Sequence, residues 1–238
     1  MIIAAVRSTV TLVVVSLYLV VVGLPGILVA MITGAKAHLY FFGHIGVRLG
    51  LTMSGIRYRV IGTEHLVEGR AAVYCANHQS NIDQPVLFTA LRPQMHILYK
   101  AELNSVPVLG RVFRLGGFIP VDRRNRESAS RSIEAGAASL RAGNSFLIFP
   151  EGTRSRTDEL LPFKKGGFVM ALRAGAPIVP VAVSGGRAAM QKGSWFIRPA
   201  MVTVRIGAPI ETAGMGVDSR DRLIVEVRTA IQALLAVD

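Results

Sequence analysis

The sequence predicts an α/β fold: a mixed, largely parallel sheet flanked by helices, preceded by an N-terminal membrane-embedded helical segment. Two observations carry this prediction. From about residue 56, short apolar runs of strand length alternate with amphipathic stretches of helix length, which favours a sheet covered by helices. Before that point, residues 8–35 contain no charged side chain. We therefore divide the chain into an anchoring segment, residues 1–55, and an α/β domain, residues 56–238.

The apolar segment is long enough to cross a bilayer. Residues 10–32 would span about 34 Å as a helix, against a hydrocarbon core of about 30 Å. Pro25 interrupts the segment because proline removes a backbone hydrogen bond, and a second apolar pattern continues to residue 51. A single spanning helix and a hairpin that dips into one leaflet both fit. The break and the second segment favour the hairpin, turning near Pro25 or Gly34.

A cleaved signal peptide is the alternative for this segment, since residues 35–37 offer a small-x-small site. The apolar run exceeds the usual signal core of roughly 7–15 residues, which argues against cleavage. Positive charge is thin before the run, at Arg7, and heavier after it. The basic residues that follow are Lys36, Arg48, Arg57 and Arg59. This bias predicts a cell-membrane protein with its α/β domain on the cytoplasmic side.

Strands of the α/β domain are predicted from short apolar runs bounded by turn residues. The predicted strands are residues 57–61, 71–76, 97–99, 118–121, 145–149, 178–183 and 202–206. Helices are predicted from periodicity and end signals: Pro85 suits a first helical turn, and Gly143 suits a position just after a helix. The predicted helices are residues 85–91, 106–115, 127–142, 167–174 and 219–237.

Composition narrows the function. The net charge of +12 suggests an anionic partner such as nucleic acid, anionic lipid or a phosphorylated small molecule. The single cysteine, Cys75, excludes an internal disulfide and a cysteine-rich metal site. The sequence also lacks a phosphate-binding Walker loop, a dinucleotide fingerprint, a His-Glu-x-x-His zinc motif and a Gly-x-Ser-x-Gly elbow.

A histidine and a carboxylate follow the second predicted strand. His78 and Asp83 are five positions apart, about 500° on a continuous helix, so on a helix they would not share a face. The pair could interact if His78 lies in the loop and Asp83 in the first turn of the next helix. The carboxylate would then hold one ring nitrogen and leave the other free as a base. Alternatively, Asp83 simply caps the helix and His78 is a polar loop residue.

Basic residues follow two other predicted strands. Residues 150–156, Pro-Glu-Gly-Thr-Arg-Ser-Arg, come directly after a buried strand, and residues 122–124 come after another. Ligands of open α/β sheets bind at the carboxyl ends of the strands, and arginine forks suit phosphate. A solvated charged turn is the alternative for each cluster alone, but the clusters together indicate one anion site.

These motifs resemble those of the glycerolipid acyltransferases. Residues 77–83, Asn-His-Gln-Ser-Asn-Ile-Asp, are similar to the family's His-x4-Asp box. Residues 149–155, Phe-Pro-Glu-Gly-Thr-Arg-Ser, match a second box. Residues 117–123 resemble a block that ends in arginine, and residues 178–181 resemble an apolar block with proline. The four boxes, in order, cover roughly residues 56–207. Pro120 departs from the family pattern and puts the pairing of its strand in doubt.

The resemblance implies that an acyl group passes from acyl-CoA or acyl carrier protein to the free hydroxyl of lysophosphatidate, giving phosphatidic acid for phospholipid biosynthesis. His78 would be the general base and Asp83 would orient it. The residues expected to bind the acceptor's phosphate end are Glu151, Gly152, Thr153 and Arg154, with Arg123 assisting and Lys100 as a further candidate. Glu151 would serve by holding Arg154 in place. The resemblance implies no metal and no cofactor beyond the thioester co-substrate.

Two rival functions stay open. Within the same family, the acceptor could be glycerol-3-phosphate, another lysophospholipid, or an amino-acid or glycan lipid. In a different class, the chain could be a basic membrane-bound module that binds anionic lipid or nucleic acid without catalysis. Nucleic acid is disfavoured as a partner because no aromatic stacking platform is interleaved with the basic residues.

Overall fold

A seven-stranded sheet lies at the centre of the computed structural model, which describes residues 2–34, 36–91, 94–106, 109–122 and 124–237. Its strands are β1 (Ile56–Ile61), β2 (Val73–Ala76), β3 (Met95–Lys100), β4 (Ile119–Val121), β5 (Ser145–Ile148), β6 (Ile178–Ser184) and β7 (Ala200–Ile206). They are arranged in the order β1-β7-β6-β2-β5-β3-β4. Every pairing is parallel except that of β6 with β7. The predicted mixed, largely parallel sheet is confirmed.

The helices of the α/β domain are α4 (Asp83–Ala90), α5 (Leu109–Leu115), α6 (Arg126–Arg141), α7 (Gly166–Ala174), α8 (Gly186–Ala189) and α9 (Arg220–Ala236). They form layers on both faces of the sheet. Tyr74 of β2 belongs to the apolar cluster that also contains α4 residues, whereas its neighbour Val73 belongs to the cluster of α6, α7 and α9. All four residues of β2 are buried, as expected for a central parallel strand covered on both sides.

Three α-helices and a π-helical turn form an N-terminal hairpin. They are α1 (Ile2–Tyr18), the π-helical turn (Leu19–Gly23), α2 (Leu24–Thr33) and α3 (Lys36–Met53), which runs back along the first arm. Pro25 lies in the first turn of α2, directly after the π-helical turn, so the helix continues past it. The reversal comes at Gly34, which has the left-handed φ of 67°. Of the two predicted turning points, the second is the one observed.

The first arm of the hairpin, Ile2–Thr33, is the helix of the described residues that is long and apolar enough to cross a membrane, by length and composition alone. The second arm, α3, lies along the α/β domain. The hydroxyl of Tyr40 donates to the carbonyls of Met95 at 3.2 Å and Gly116 at 3.0 Å, and Leu51 is buried eleven residues further on. Contacts therefore fix α3 to the domain over about 16 Å of its length.

The structure bears on two details of the predicted elements, one helix start and one strand pairing. The helix predicted at residues 106–115 begins at Leu109, with residues 107–108 outside the described part of the chain. Pro120 does not prevent its strand from pairing: Tyr99 of β3 is opposite Pro120 of β4 in a parallel ladder. An edge strand forms ladder hydrogen bonds on one side only, and β4 is at the edge, so a missing N–H is tolerated there.

The parallel pairings bring five strand ends to one edge of the sheet. The carboxyl ends of β6, β2, β5, β3 and β4 follow one another in that order along this edge, which we call the site edge. Neighbouring strands are about 4.8 Å apart. The carboxyl end of β1 lies at the opposite edge, because β7 is parallel to β1 and antiparallel to β6. The predicted motifs after β2, β5, β3 and β4 therefore all meet the site edge.

Candidate active site

The loop after β2 begins with an asparagine side chain that extends the sheet. Asn77 is fully buried, its amide nitrogen donates to the carbonyl of Val183 at 3.0 Å, and its amide oxygen accepts from the Val183 N–H at 2.7 Å. A side chain thus replaces a backbone ladder step between β2 and β6. The main chain is freed to turn away from the sheet at the next residue, His78.

His78 and Asp83 form a buried pair. Nδ1 of His78 lies 3.0 Å from Oδ2 of Asp83, which is the first residue of α4. The same oxygen accepts from the N–H groups of Gln79 and Ser80, both at 2.7 Å. These donors precede the helix, so Asp83 folds back onto the loop and does not act as a cap of α4. The carboxylate is thereby fixed by two backbone donors and orients the imidazole.

The other nitrogen of His78 is available for chemistry. A carboxylate at Nδ1 selects the tautomer that carries its proton there, which leaves the lone pair of Nε2 free to accept a proton. The ring stacks on Phe149 with centroids 4.2 Å apart, and the side chain is 11% exposed. The arrangement is that of a general base in a mostly dry site.

Space beside Asp83 requires a glycine at the start of α8. A Cβ atom at Gly186 would lie only 2.2 Å from Oδ1 of Asp83. This oxygen is buried without a hydrogen-bond partner among the described residues. Any side chain at position 186 would push the carboxylate off the imidazole.

Glu151 joins the loop after β5 to His78. It is 3% exposed, Oε1 accepts from the backbone N–H of His78 at 2.8 Å, and Oε2 accepts from the backbone N–H of Leu161 at 2.9 Å. Burial raises the pKa of this carboxyl, and the two backbone donors oppose that shift. Glu151 was expected to hold Arg154 in place; among the described residues its carboxylate instead accepts from the backbone N–H groups of His78 and Leu161 and forms no ion pair with Arg154.

The remaining residues of the loop form a tight turn beside the histidine. Gly152 has a φ of 70°, which only glycine adopts without strain, and its N–H donates to the carbonyl of Phe149 at 3.0 Å. The N–H of Ser155 donates to the carbonyl of His78 at 2.8 Å. Thr153 is exposed and Arg154 is half-buried. The main chain of His78 is therefore held on both sides by this loop.

Lys192 also contacts this loop, and it was not among the site residues predicted from the sequence. Its Nζ donates to the Thr153 hydroxyl at 3.1 Å and to the Arg154 carbonyl at 2.8 Å. Arg187 donates to the Thr157 carbonyl and to Asp158 at 2.8 Å. Both cations lie after β6, where Gly185 and Gly186 end a buried strand. The same strand-end signal that pointed to the other clusters was present there.

The other predicted anion-binding residues occupy neighbouring strand ends. Lys100 ends β3 and is exposed, two strands from β2, or about 10 Å. Arg123, predicted to assist, lies outside the described residues. The next residue, Arg124, is exposed after β4. The structure thus places Lys100 and Arg154 along the same edge as the His78–Asp83 pair.

The chain matches a known protein family. The model of the family described as Acyltransferase matches residues 57–184, which contain both loops and β2 to β6. The chain belongs to the acyltransferase family. This confirms the resemblance drawn from the four sequence boxes.

Several curated members of this acyltransferase family are similar to the chain. The 1-acyl-sn-glycerol-3-phosphate acyltransferase of Limnanthes douglasii is 36% identical over 181 residues, 76% of this chain and 64% of that protein. The protein of the same name from Escherichia coli K12 is 31% identical over 200 residues, 84% and 80% of the two chains. The chain thus spans slightly less than two thirds of the plant relative.

A solved structure shares the fold of this acyltransferase. The crystal structure of the 1-acyl-sn-glycerophosphate acyltransferase from Thermotoga maritima superimposes with a TM-score of 0.84, covering 98% of this chain and 96% of that one, at 23% identity. The match includes the N-terminal hairpin, because it covers nearly the whole chain.

Proposed function

We propose that this acyltransferase transfers a fatty acyl group from acyl-CoA or acyl carrier protein to the free hydroxyl of 1-acyl-sn-glycerol-3-phosphate, giving phosphatidic acid. The observation that carries the proposal is the His78–Asp83 pair, with Nε2 free, on the same edge as the basic strand ends. The names of the curated relatives support the acceptor.

In this mechanism His78 is the general base. Its Nε2 takes the proton of the acceptor hydroxyl as the oxygen bonds to the thioester carbonyl carbon. The tetrahedral intermediate collapses, the carbon–sulfur bond breaks, and the imidazolium returns its proton to the departing thiolate. Asp83 stabilises the imidazolium through Nδ1. Positioned bases of this kind contribute about 10²–10⁴-fold.

The acceptor's phosphate would be bound by cations along the site edge. Arg154 and Lys100 follow β5 and β3, and Arg123 would follow β4. Two strand spacings, about 10 Å, separate β2 from β3. Gly152 and Thr153 shape the wall between them. Glu151, whose oxygens are occupied, would contribute by holding His78 and not by contacting substrate.

The hairpin would attach the protein to the membrane that contains its lipid substrate. We assign residues 1–55 to membrane attachment and residues 56–238 to catalysis, with the catalytic domain on the cytoplasmic side. The outer arm carries exposed apolar side chains along its length, among them Leu12, Val13, Leu17, Leu28 and Ile32, each more than half exposed. The inner arm α3 is fixed along the domain, which favours a hairpin lying in one leaflet over a helix crossing both.

An acceptor panel tests the proposal. The purified chain is mixed with oleoyl-CoA and one acceptor at a time, and release of the CoA thiol is followed. The acceptors are 1-acyl-glycerol-3-phosphate, glycerol-3-phosphate, a lysophosphatidylcholine and an N-acyl amino acid. We expect rapid release with 1-acyl-glycerol-3-phosphate alone.

Each of the other outcomes contradicts either the proposed substrate or the proposed enzyme activity. Rapid release with a different acceptor would retain the chemistry and overturn the substrate. No acceptor-dependent release from either oleoyl-CoA or oleoyl acyl carrier protein, while the protein still sediments with lipid vesicles, would indicate a binding module and overturn the enzyme assignment.

A further inference from the structure

The loop between α8 and β7, residues 190–199, connects the candidate active site to the hairpin. At its start, the Ser80 hydroxyl donates to the carbonyl of Met190 at 2.7 Å, and Lys192 contacts the loop after β5. At its end, the N–H of Ile197 donates to the hydroxyl of Ser8 in α1 at 2.7 Å. We call this segment the aromatic loop.

The aromatic loop presents an exposed indole ring. Trp195 is 55% exposed, and its ring packs against that of Phe196 with centroids 4.7 Å apart. Ile197, which is hydrogen-bonded to α1, follows Trp195 by two residues. An extended backbone of two residues spans about 7 Å, so the backbone of Trp195 lies within this distance of that of Ile197. Tryptophan is the side chain most typical of the boundary between lipid and water, because its ring is apolar and its N–H is polar.

The part of α1 that leads to the loop contact at Ser8 has the composition of a lipid contact. The first turns of α1 expose Ile2, Ile3 and Val6. A groove of about 410 Å³ beside them is lined by apolar side chains and the cation Arg7. Arg198 is exposed on the loop itself. Apolar side chains flanked by arginines match an anionic bilayer surface.

We propose that the aromatic loop is a second membrane contact, in which Trp195 inserts at the interface of an anionic bilayer beside the first turns of α1. The loop then holds the active site against the lipid surface, since its other end contacts Ser80 and the loop after β5. This inference rests on the proposed membrane attachment of the hairpin and is independent of the acyl transfer chemistry.

Intrinsic fluorescence tests the proposal, because Trp195 is the only tryptophan in the chain. The full-length protein is added to vesicles of phosphatidylcholine and phosphatidylglycerol, and binding is verified by sedimentation. We expect a blue shift of the emission, a several-fold fall in the acrylamide quenching constant, and strong quenching by lipids brominated near the headgroup. No turnover is needed, so failure of the proposed enzyme activity would not affect the result.

A tryptophan on the far face of the sheet is the matched control. Val225 of α9 is 64% exposed, and α9 packs on the face opposite α3 and α4. In the double variant Trp195→Phe, Val225→Trp, vesicles should leave the emission and its quenching unchanged. Unchanged Trp195 emission in vesicle-bound wild-type protein would overturn the proposal. So would a blue shift insensitive to brominated lipid, since that indicates contact between protein copies.

Discussion

Glu151 connects two backbone segments that are far apart in sequence, because its carboxylate oxygens accept from His78, 73 residues before it, and from Leu161, 10 residues after it. An ionised carboxylate only accepts hydrogen bonds and would repel a phosphate, and the two oxygens of Glu151 already accept from backbone N–H groups. Its effect on the reaction passes through the position of the His78 main chain. We therefore describe Glu151 as a positioning residue.

Replacing Glu151 by glutamine tests this role. Glu151→Gln presents an amide NH2 to one of the two N–H donors, and an unsatisfied buried donor costs about 1–3 kcal/mol. We expect a lower melting temperature by circular dichroism in detergent and a fall in kcat.

The control for this substitution is Glu127→Gln, because Glu127 is 82% exposed in a surface ion pair and should show neither effect. A Glu151→Gln protein with wild-type thermal stability and only a raised KM for the acceptor would instead indicate contact with substrate.

At the scale of elements, the glycine turn between α5 and β4 fits closely around a histidine of β3. Gly117 has a φ of 80°, and a Cβ atom there would lie 2.4 Å from Cε1 of His96. His96 is 3% exposed, with edge-on contacts to Phe118 and Phe146. The turn therefore needs glycine for both its backbone conformation and its space.

Gly117→Ala should destabilise the fold more than Gly143→Ala does. Both glycines have left-handed φ, 80° and 90°, but a Cβ atom at Gly143 meets nothing within 4 Å. Each alanine costs roughly 1–2 kcal/mol for the backbone, and Gly117→Ala adds a clash with His96. Melting temperatures measured side by side check this. Equal losses in the two variants would show that the His96 contact has no energetic weight.

Local pattern in the sequence predicts most of the elements, without the short helix α8, and does not predict their contacts. Strand β2 was predicted from an apolar run, and α6 from its periodicity and Gly143, because both signals are local. The hydrogen bond from the His78 N–H to the Glu151 carboxylate could not be predicted, because the two residues come close only when β2 and β5 pair. Lys192 was missed for the same reason: its position depends on β6 pairing with β2. The single antiparallel pairing, β6 with β7, likewise has no local signal.

At the scale of the whole molecule, burial of His96 should make the fold sensitive to acid. Burial, aided by the charge of Lys36, lowers the pKa of His96 from 6.5 to about 4. Between these two values the unfolded chain binds a proton that the folded chain does not, so the free energy of unfolding decreases as pH falls from 6.5 to about 4. The shift corresponds to a loss of about 3 kcal/mol.

Denaturation across this pH range checks the His96 prediction. His96→Gln should flatten the dependence of stability on pH between 6.5 and about 4. A wild-type profile that is flat over this range would contradict the prediction.

The architecture would allow one chain to act on a lipid and a thioester together, as proposed. Five parallel strand ends share the site edge, which brings the His78–Asp83 pair and several cations to one place. The hairpin covers the face of the sheet formed with α4, so its exposed apolar arm and the candidate site belong to one continuous body. In this architecture we propose that His78 is the general base that accepts the proton of the acceptor hydroxyl.

Acyl transfer by His78→Ala, compared with wild type and with His65→Ala, tests that claim most directly. His65 is the matched histidine, since it follows β1 at the opposite edge of the sheet. The measurement is acceptor-dependent release of CoA thiol at saturating oleoyl-CoA and 1-acyl-glycerol-3-phosphate, on proteins with equal circular dichroism. We expect His78→Ala to lower kcat by about 10²–10⁴-fold and His65→Ala to retain the wild-type kcat. A folded His78→Ala protein with wild-type turnover would contradict the proposal.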